Sequence, residues 1–264
     1  YGFPCHLKQL ADIARRHNLA LIYDAAHAFG VSIDGRPISN YGDMSMFSFH
    51  ATKLFHSIEG GMLIFRDSKL KETFDYLKNF GFKNDVEVVM PGTNAKMNEM
   101  QALMGILVFK HFERLVEHSR QIHTTYRECL KDVPGIKFPP ELPDEIAYNY
   151  IYQPVEITDE EFGMSRDALF TTLMEYNIYS RRYFYPLLCD FPCYKNVSFK
   201  DPLRVARDVA QKILCLPIYP DLKIDDVVRI CETIIFLQKQ SNKLRFPVFQ
   251  GKTKENNVEV HACG

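Results

Sequence analysis

The chain contains no stretch approaching the ~20 consecutive apolar residues of a membrane-spanning helix. It also lacks an excess of either charge. The formal net charge is −1, which argues against the basic face of a nucleic-acid binder. The seven cysteines are scattered and odd in number, without the paired spacing of a zinc site. Cys189 and Cys193 come nearest to it, but no second pair answers them. They read as reduced thiols of a cytoplasmic protein, and no metal site is expected. No internal repeat is present. Hydrophobic residues at 46% and charged residues at 25% are ordinary globular values, so disorder is excluded.

The 264 residues suffice for one large domain or two modest ones. The first residues are Tyr1-Gly2-Phe3-Pro4, with no initiating Met, and a helix with Leu7, Leu10, Ala11 and Ala14 on one face follows almost at once. This reads as an entry in mid-domain, and the expectation is a fragment missing its front part. Leu19-Ala20-Leu21-Ile22-Tyr23 suits a strand buried on both faces. Val31 to Ile38 reads as a hairpin turning at Asp34-Gly35. Met44–Phe49 and Met62–Phe65 are further strand candidates, and residues 68–80 a helix. Such alternation favours an α/β domain with a largely parallel sheet.

After Pro91-Gly92 a long helix is expected, with Met100, Leu103, Met104, Leu107 and Val108 as a packed core face, running on through residues 110–131 as a bridge. Beyond Pro134-Gly135 the pattern predicts a smaller α+β domain. Its elements are an extended segment at 148–157, a helix near 165–176, a strand at Tyr179–Tyr185, and helices near 203–213 and 225–237. Asp225 and Asp226 open the last helix, where its dipole favours negative charge. The expected division is therefore 1–131, 132–237 and a mobile polar tail at 238–264.

The residues that could carry chemistry lie within 24–61. Asp24 ends an apolar strand, where ligands sit in open α/β sheets. A carboxylate there could meet a protonated pyridine nitrogen or cap a following helix. Lys53, close behind the next strand, can be desolvated and so become a Schiff-base nucleophile. Ser48, five residues earlier, is a plausible phosphate ligand. Ile58-Glu59-Gly60-Gly61 then allows a tight turn. A Ser-x4-Lys spacing alone is weak; the order Asp, Ser, Lys, Gly-Gly is what lifts it.

In that order the chain resembles the DegT/DnrJ/EryC1/StrS family of sugar aminotransferases, within the fold-type I superfamily that uses pyridoxal phosphate (PLP). The matching residues are Tyr23-Asp24-Ala25-Ala26-His27-Ala28-Phe29-Gly30, Gly42-Asp43, Phe47 through Lys53, and Glu59-Gly60-Gly61. Gly92 through Glu99 and Leu216-Pro217-Ile218-Tyr219-Pro220 also fit, so the resemblance spans roughly residues 1–237. It implies part of a fold-type I large domain plus a small C-terminal domain. It further implies that Lys53 carries PLP and moves the proton, that Asp24 holds the pyridinium nitrogen, and that Ser48 binds the cofactor phosphate. Asn94 would reach the cofactor phosphate of the neighbouring subunit in a homodimer with shared sites. His27 stands where most members have Gln, contacting the ring oxygen.

Members that dehydrate the sugar replace the lysine with histidine. Lys53 is retained and His50 does not align with it, so the implied reaction is amino transfer from glutamate to a keto group of a nucleotide-linked deoxysugar, as in polysaccharide biosynthesis. Arg182 and Tyr185 are candidates for contacts to substrate phosphates or to the carboxylate of glutamate, with a solvated face as the other reading of Arg182. The competing classes are a non-catalytic binding or regulatory protein on the same fold, and a PLP enzyme of another reaction type. The family's remaining cofactor contacts precede the motifs found here, so a chain beginning at Tyr1 is expected to bind PLP poorly.

Overall fold

The computed structural model describes residues 1–197 and 200–245. It begins with α1 (Leu7–Arg16), which buries Leu7 and Ala14 and ends on Arg15 and Arg16, cations that suit the negative end of its dipole. β1 (Ile22–Asp24) follows, then the hairpin β2 (Ser32–Ile33) and β3 (Arg36–Pro37). Asp34 and Gly35 take φ of 51° and 70°, the paired positive angles of the tight hairpin turn. β4 (Met44–Ser48) and β5 (Gly61–Phe65) lead into α2 (Leu70–Lys78).

The central sheet has the order β1-β4-β5, with β1 parallel and β5 antiparallel to β4. The largely parallel sheet expected from the sequence is thus a mixed one over the described residues. A parallel return needs a crossover, usually helical, and residues 49–60 between β4 and β5 contain no helix. β1 was expected to be covered on both faces, yet Ile22 is 61% exposed.

The expected long helix is two helices, α3 (Glu99–Phe109) and α4 (Phe112–Leu130). No Gly or Pro marks the break. It lies where the Phe112 ring meets the Phe29 ring edge-on at 5.1 Å. Asn98 caps α3 through a capping box with Gln101. The Met-rich stripe is not a packed core face: Met100 is 70% exposed, and Leu103 and Leu107 are about half exposed. The helix is apolar around most of its circumference, and its inner contact runs through Gly105, which lies over Ser57 and Phe55.

The second unit contains β6 (Ile136–Lys137), β7 (Ile146–Ala147), β8 (Gln153–Ile157), α5 (Asp159–Phe162), α6 (Arg166–Glu175), α7 (Arg204–Lys212), β9 (Ile213–Leu216) and α8 (Ile224–Arg245). β6, β8 and β9 form an antiparallel sheet in that order. The core joins Ile122, Tyr126 and Leu130 of α4 to Val155, Leu169, Leu214, Val227 and Ile234. α4 therefore packs into the second unit, although the sequence grouped it with the first. In return, β7 pairs with β2 and Tyr148 enters the first core. The strand expected at Tyr179–Tyr185 is reduced to a single bridge, Arg181 to Cys215. Beyond it the Tyr185 N–H bonds the Arg182 carbonyl, which turns the chain away from β9. α8 continues past Leu237 with Ser241 still buried; the remainder of the expected tail, 246–264, lies outside the described residues.

Candidate active site

Parallel pairing places Asp24 opposite Met46, so β1 and β4 end on the same edge of the sheet, with Ser48 two residues further on. The Asp24 carboxylate accepts the Ala26 N–H at 3.1 Å, a local turn of the kind short acidic side chains form. No helix follows, so Asp24 is not a helix cap. Ala25 and Ala28 are buried beneath the turn, which is where small residues are needed. Ser48 ends β4, and its hydroxyl accepts the His50 N–H at 3.4 Å.

Lys53 lies on the 49–60 loop, whose ends are drawn together by Phe49 N–H to Gly60 C=O at 2.9 Å and Ser57 N–H to Phe49 C=O at 3.0 Å. The anchor is Phe55, buried and stacked on Phe29 at 4.1 Å with Phe49 edge-on at 4.7 Å. Gly60 has φ of 155°, and a Cβ there would sit 2.5 Å from the Ser57 hydroxyl. The Gly-Gly step is thus required by the loop that presents Lys53. Burial lowers the Lys53 pKa, and the Asp24 carboxylate partly restores it. The amine and the carboxylate therefore share one electrostatic environment.

His27 joins them. Burial, then the Lys53 ammonium, lower its pKa to about 4, against a smaller upward pull from Asp24. It is a neutral imidazole at neutral pH, stacked on Phe184 at 5.9 Å and edge-on to Tyr152 at 5.1 Å. Its backbone is fixed by Asn149, a buried amide that donates to the carbonyls of His27 at 2.8 Å and Phe29 at 3.0 Å.

Lys53 lines a cavity of about 390 Å³ between the two units, whose far wall includes Tyr152, Tyr179, Arg181, Tyr183 and Cys215. Burial raises the Tyr152 phenol to about 12 and the Cys215 thiol to about 12. Both stay protonated, so Cys215 is no nucleophile. Arg182 faces elsewhere. It bonds Asp167 at 2.9 Å and lies over Phe170 at 4.7 Å. Tyr185 lies between the guanidinium groups of Arg166 and Arg182, at 4.8 and 5.4 Å. Both line a separate cavity of about 420 Å³ that shares Tyr179, Arg181 and Tyr183 with the first. Along this extended segment the odd residues meet the Lys53 cavity while Ser180 is buried and Arg182 turns to Asp167, the two-residue alternation of extended backbone. Asn94 is exposed, bridged to Asn79, and is not among the residues lining the Lys53 cavity.

An amine and a carboxylate in one field, with a hydroxyl on the same sheet edge, form the donor set that a phosphorylated pyridine aldehyde needs, so these residues fit PLP. Among the described residues no cluster of His, Cys, Asp and Glu could hold a metal ion, and no helix is long and apolar enough to cross a membrane.

Known proteins resemble this chain over most of its length. The dTDP-4-amino-4,6-dideoxy-D-glucose transaminase of Shigella dysenteriae is 41% identical over 234 residues, covering 89% of this chain and 63% of the relative. That of Escherichia coli is 40% identical over 241 residues, covering 89% and 64%. The chain thus spans less than two thirds of the length of these relatives. Among solved structures, DesI in the presence of its TDP-sugar product matches with a TM-score of 0.84 at 33% identity, covering 93% of this chain and 62% of DesI. With the family pattern matching residues 1–235, the chain belongs to the DegT/DnrJ/EryC1/StrS aminotransferase family.

Proposed function

We propose that this protein is a PLP-dependent aminotransferase that moves an amino group from glutamate to a keto group of a nucleotide-linked deoxysugar. The observation that carries the reading is the desolvated Lys53 amine facing a cavity with the Asp24 carboxylate in its field. The names of the two transaminases and of DesI, each tied to a dTDP- or TDP-sugar, support the substrate class.

In this reading Lys53 would be the residue that holds the cofactor, and its Nζ would hold and give up a proton beside the reacting carbon. A lowered pKa serves both tasks, because the neutral amine is the nucleophile and the base. Asp24 keeps the pyridine nitrogen protonated, and Ser48 contributes a hydroxyl to the cofactor phosphate. When bound, PLP supplies an electron sink for the bonding pair released at the substrate carbon. His27, neutral, adds no second cation beside Lys53 and can offer one N–H to the ring oxygen. Asn94, on an exposed segment beside the uncovered apolar face of α3, suits a contact to a second subunit, and hence a homodimer with shared sites. A cytoplasmic location belongs to the same reading.

The test is borohydride reduction of the full-length protein loaded with cofactor, followed by peptide mapping. The expected result is a single phosphopyridoxyl label on Lys53. A label on another lysine removes the assignment of Lys53, and no label at all leaves the non-catalytic reading in its place.

A further inference from the structure

Arg181 differs from its neighbours in what it lacks. Arg166 and Arg182 both bond Asp167, at 2.8 and 2.9 Å, and Arg207 bonds Asp190 at 2.8 Å. Among the described residues no carboxylate lies within ion-pair distance of Arg181. Its side chain donates to the Tyr183 hydroxyl at 3.0 Å, which engages one of the five donors of a guanidinium. Its backbone, by contrast, is held on both sides. The N–H bonds the Cys215 carbonyl at 2.9 Å, and the carbonyl accepts the Cys215 N–H at 2.7 Å. The root of the side chain is thus fixed to β9, while its guanidinium fork rests over the Tyr183 ring at 5.6 Å with no carboxylate partner among the described residues.

The position of Arg181 gives that fork a use. Arg181, with Tyr179 and Tyr183, forms the wall common to the Lys53 cavity and the adjoining cavity of about 420 Å³. Its charge reaches the Tyr152 phenol across the first of these. Arg181 is exposed at the mouth of both cavities, and a guanidinium fork pairs best with an anion that presents two oxygens in its plane.

We propose that Arg181, and not Arg182, is the anion-binding residue of this site. Its partner is an oxyanion group of a reactant, either the diphosphate of the nucleotide or the carboxylate of the amino donor. This assignment rests on the aminotransferase reading given above. Arg182, which shares the Asp167 carboxylate with Arg166, fastens the segment and takes no part in binding.

The full-length protein loaded with cofactor is compared as wild type, R181M, R181K and R182M. Thymidine diphosphate binding is measured by calorimetry, and the L-glutamate dependence of the first half-reaction by its absorbance change. Borohydride labelling of Lys53 is measured on every variant. R181M is expected to weaken one of the two ligands about 10- to 100-fold, with Lys53 still labelled. R181K should recover part of the loss, as a point charge without the fork, and R182M should leave both affinities near wild type. A loss confined to thymidine diphosphate identifies the diphosphate, and one confined to glutamate identifies the carboxylate. If R181M and R181K bind both ligands as wild type does while Lys53 is labelled, the Arg181 assignment is overturned and the aminotransferase reading stands. An unlabelled wild-type Lys53 overturns both.

Discussion

A half-buried lysine next to a carboxylate is subject to two opposed effects, and their balance can be tested at the level of one atom. Burial lowers the Lys53 pKa, and Asp24 raises it. Asp24→Asn removes the charge and keeps the shape, so the Lys53 pKa should fall further. In cofactor-free protein the amine should then react with an acylating reagent at lower pH than in wild type. Catalysis should move the other way, because the pyridine nitrogen loses its counter-ion. A general unfolding would instead expose Lys53 and raise its pKa toward the ordinary value. A reactivity profile that stays in place or shifts upward in D24N would therefore separate Asp24 from Lys53 and count against the shared site.

At the scale of elements, the loop between β4 and β5 decides whether Lys53 is presented at all. Gly60→Ala asks an L side chain to adopt φ of 155° with its Cβ against the Ser57 hydroxyl, which itself bonds the Glu59 carbonyl at 2.8 Å. The substitution should cost about 1–3 kcal/mol, read as a lowered thermal midpoint, with loss of Lys53 labelling before loss of secondary structure. Full labelling at wild-type stability would show that the loop does not depend on Gly60. This loop and the strand ends were readable from sequence because they are local. Asp24, Ser48, Lys53 and Gly60-Gly61 lie within one stretch whose apolar runs and turn residues announce themselves. Asn149, Phe55 stacked on Phe29, and the partnership of Arg181 with Cys215 were not readable, because each depends on a contact between segments distant in sequence. Arg181 and Arg182 could not be told apart in the sequence for the same reason. Alternation identifies two faces of an extended segment, but only its bridge to β9 says which face meets the cavity. The helical spacing of α3 located its apolar residues, but the packed core face expected of them is instead exposed.

At the scale of the molecule, that uncovered helix bears on how the site is completed. An α-helix apolar around most of its circumference belongs in an interior. α3 nevertheless has no buried residue, and Met100, Leu103, Ile106 and Leu107 are all exposed. Asn94 lies on the exposed segment that leads into it. If a second subunit covers this face, Lys53 of one subunit and Asn94 of the other belong to one site. A Lys53→Ala subunit and an Asn94→Ala subunit then fail for different reasons, and a mixed dimer carries one site with both defects and one with neither. Co-refolding the two inactive variants in equal amounts should restore about a quarter of wild-type activity, since half the dimers are mixed and half of their sites are intact. Leu103→Glu, which sets a charge in the apolar face, should shift the protein to monomer in light scattering and abolish the restoration. Sites contained within single subunits would give no activity on mixing at any ratio, and Asn94 would then have no role across the interface.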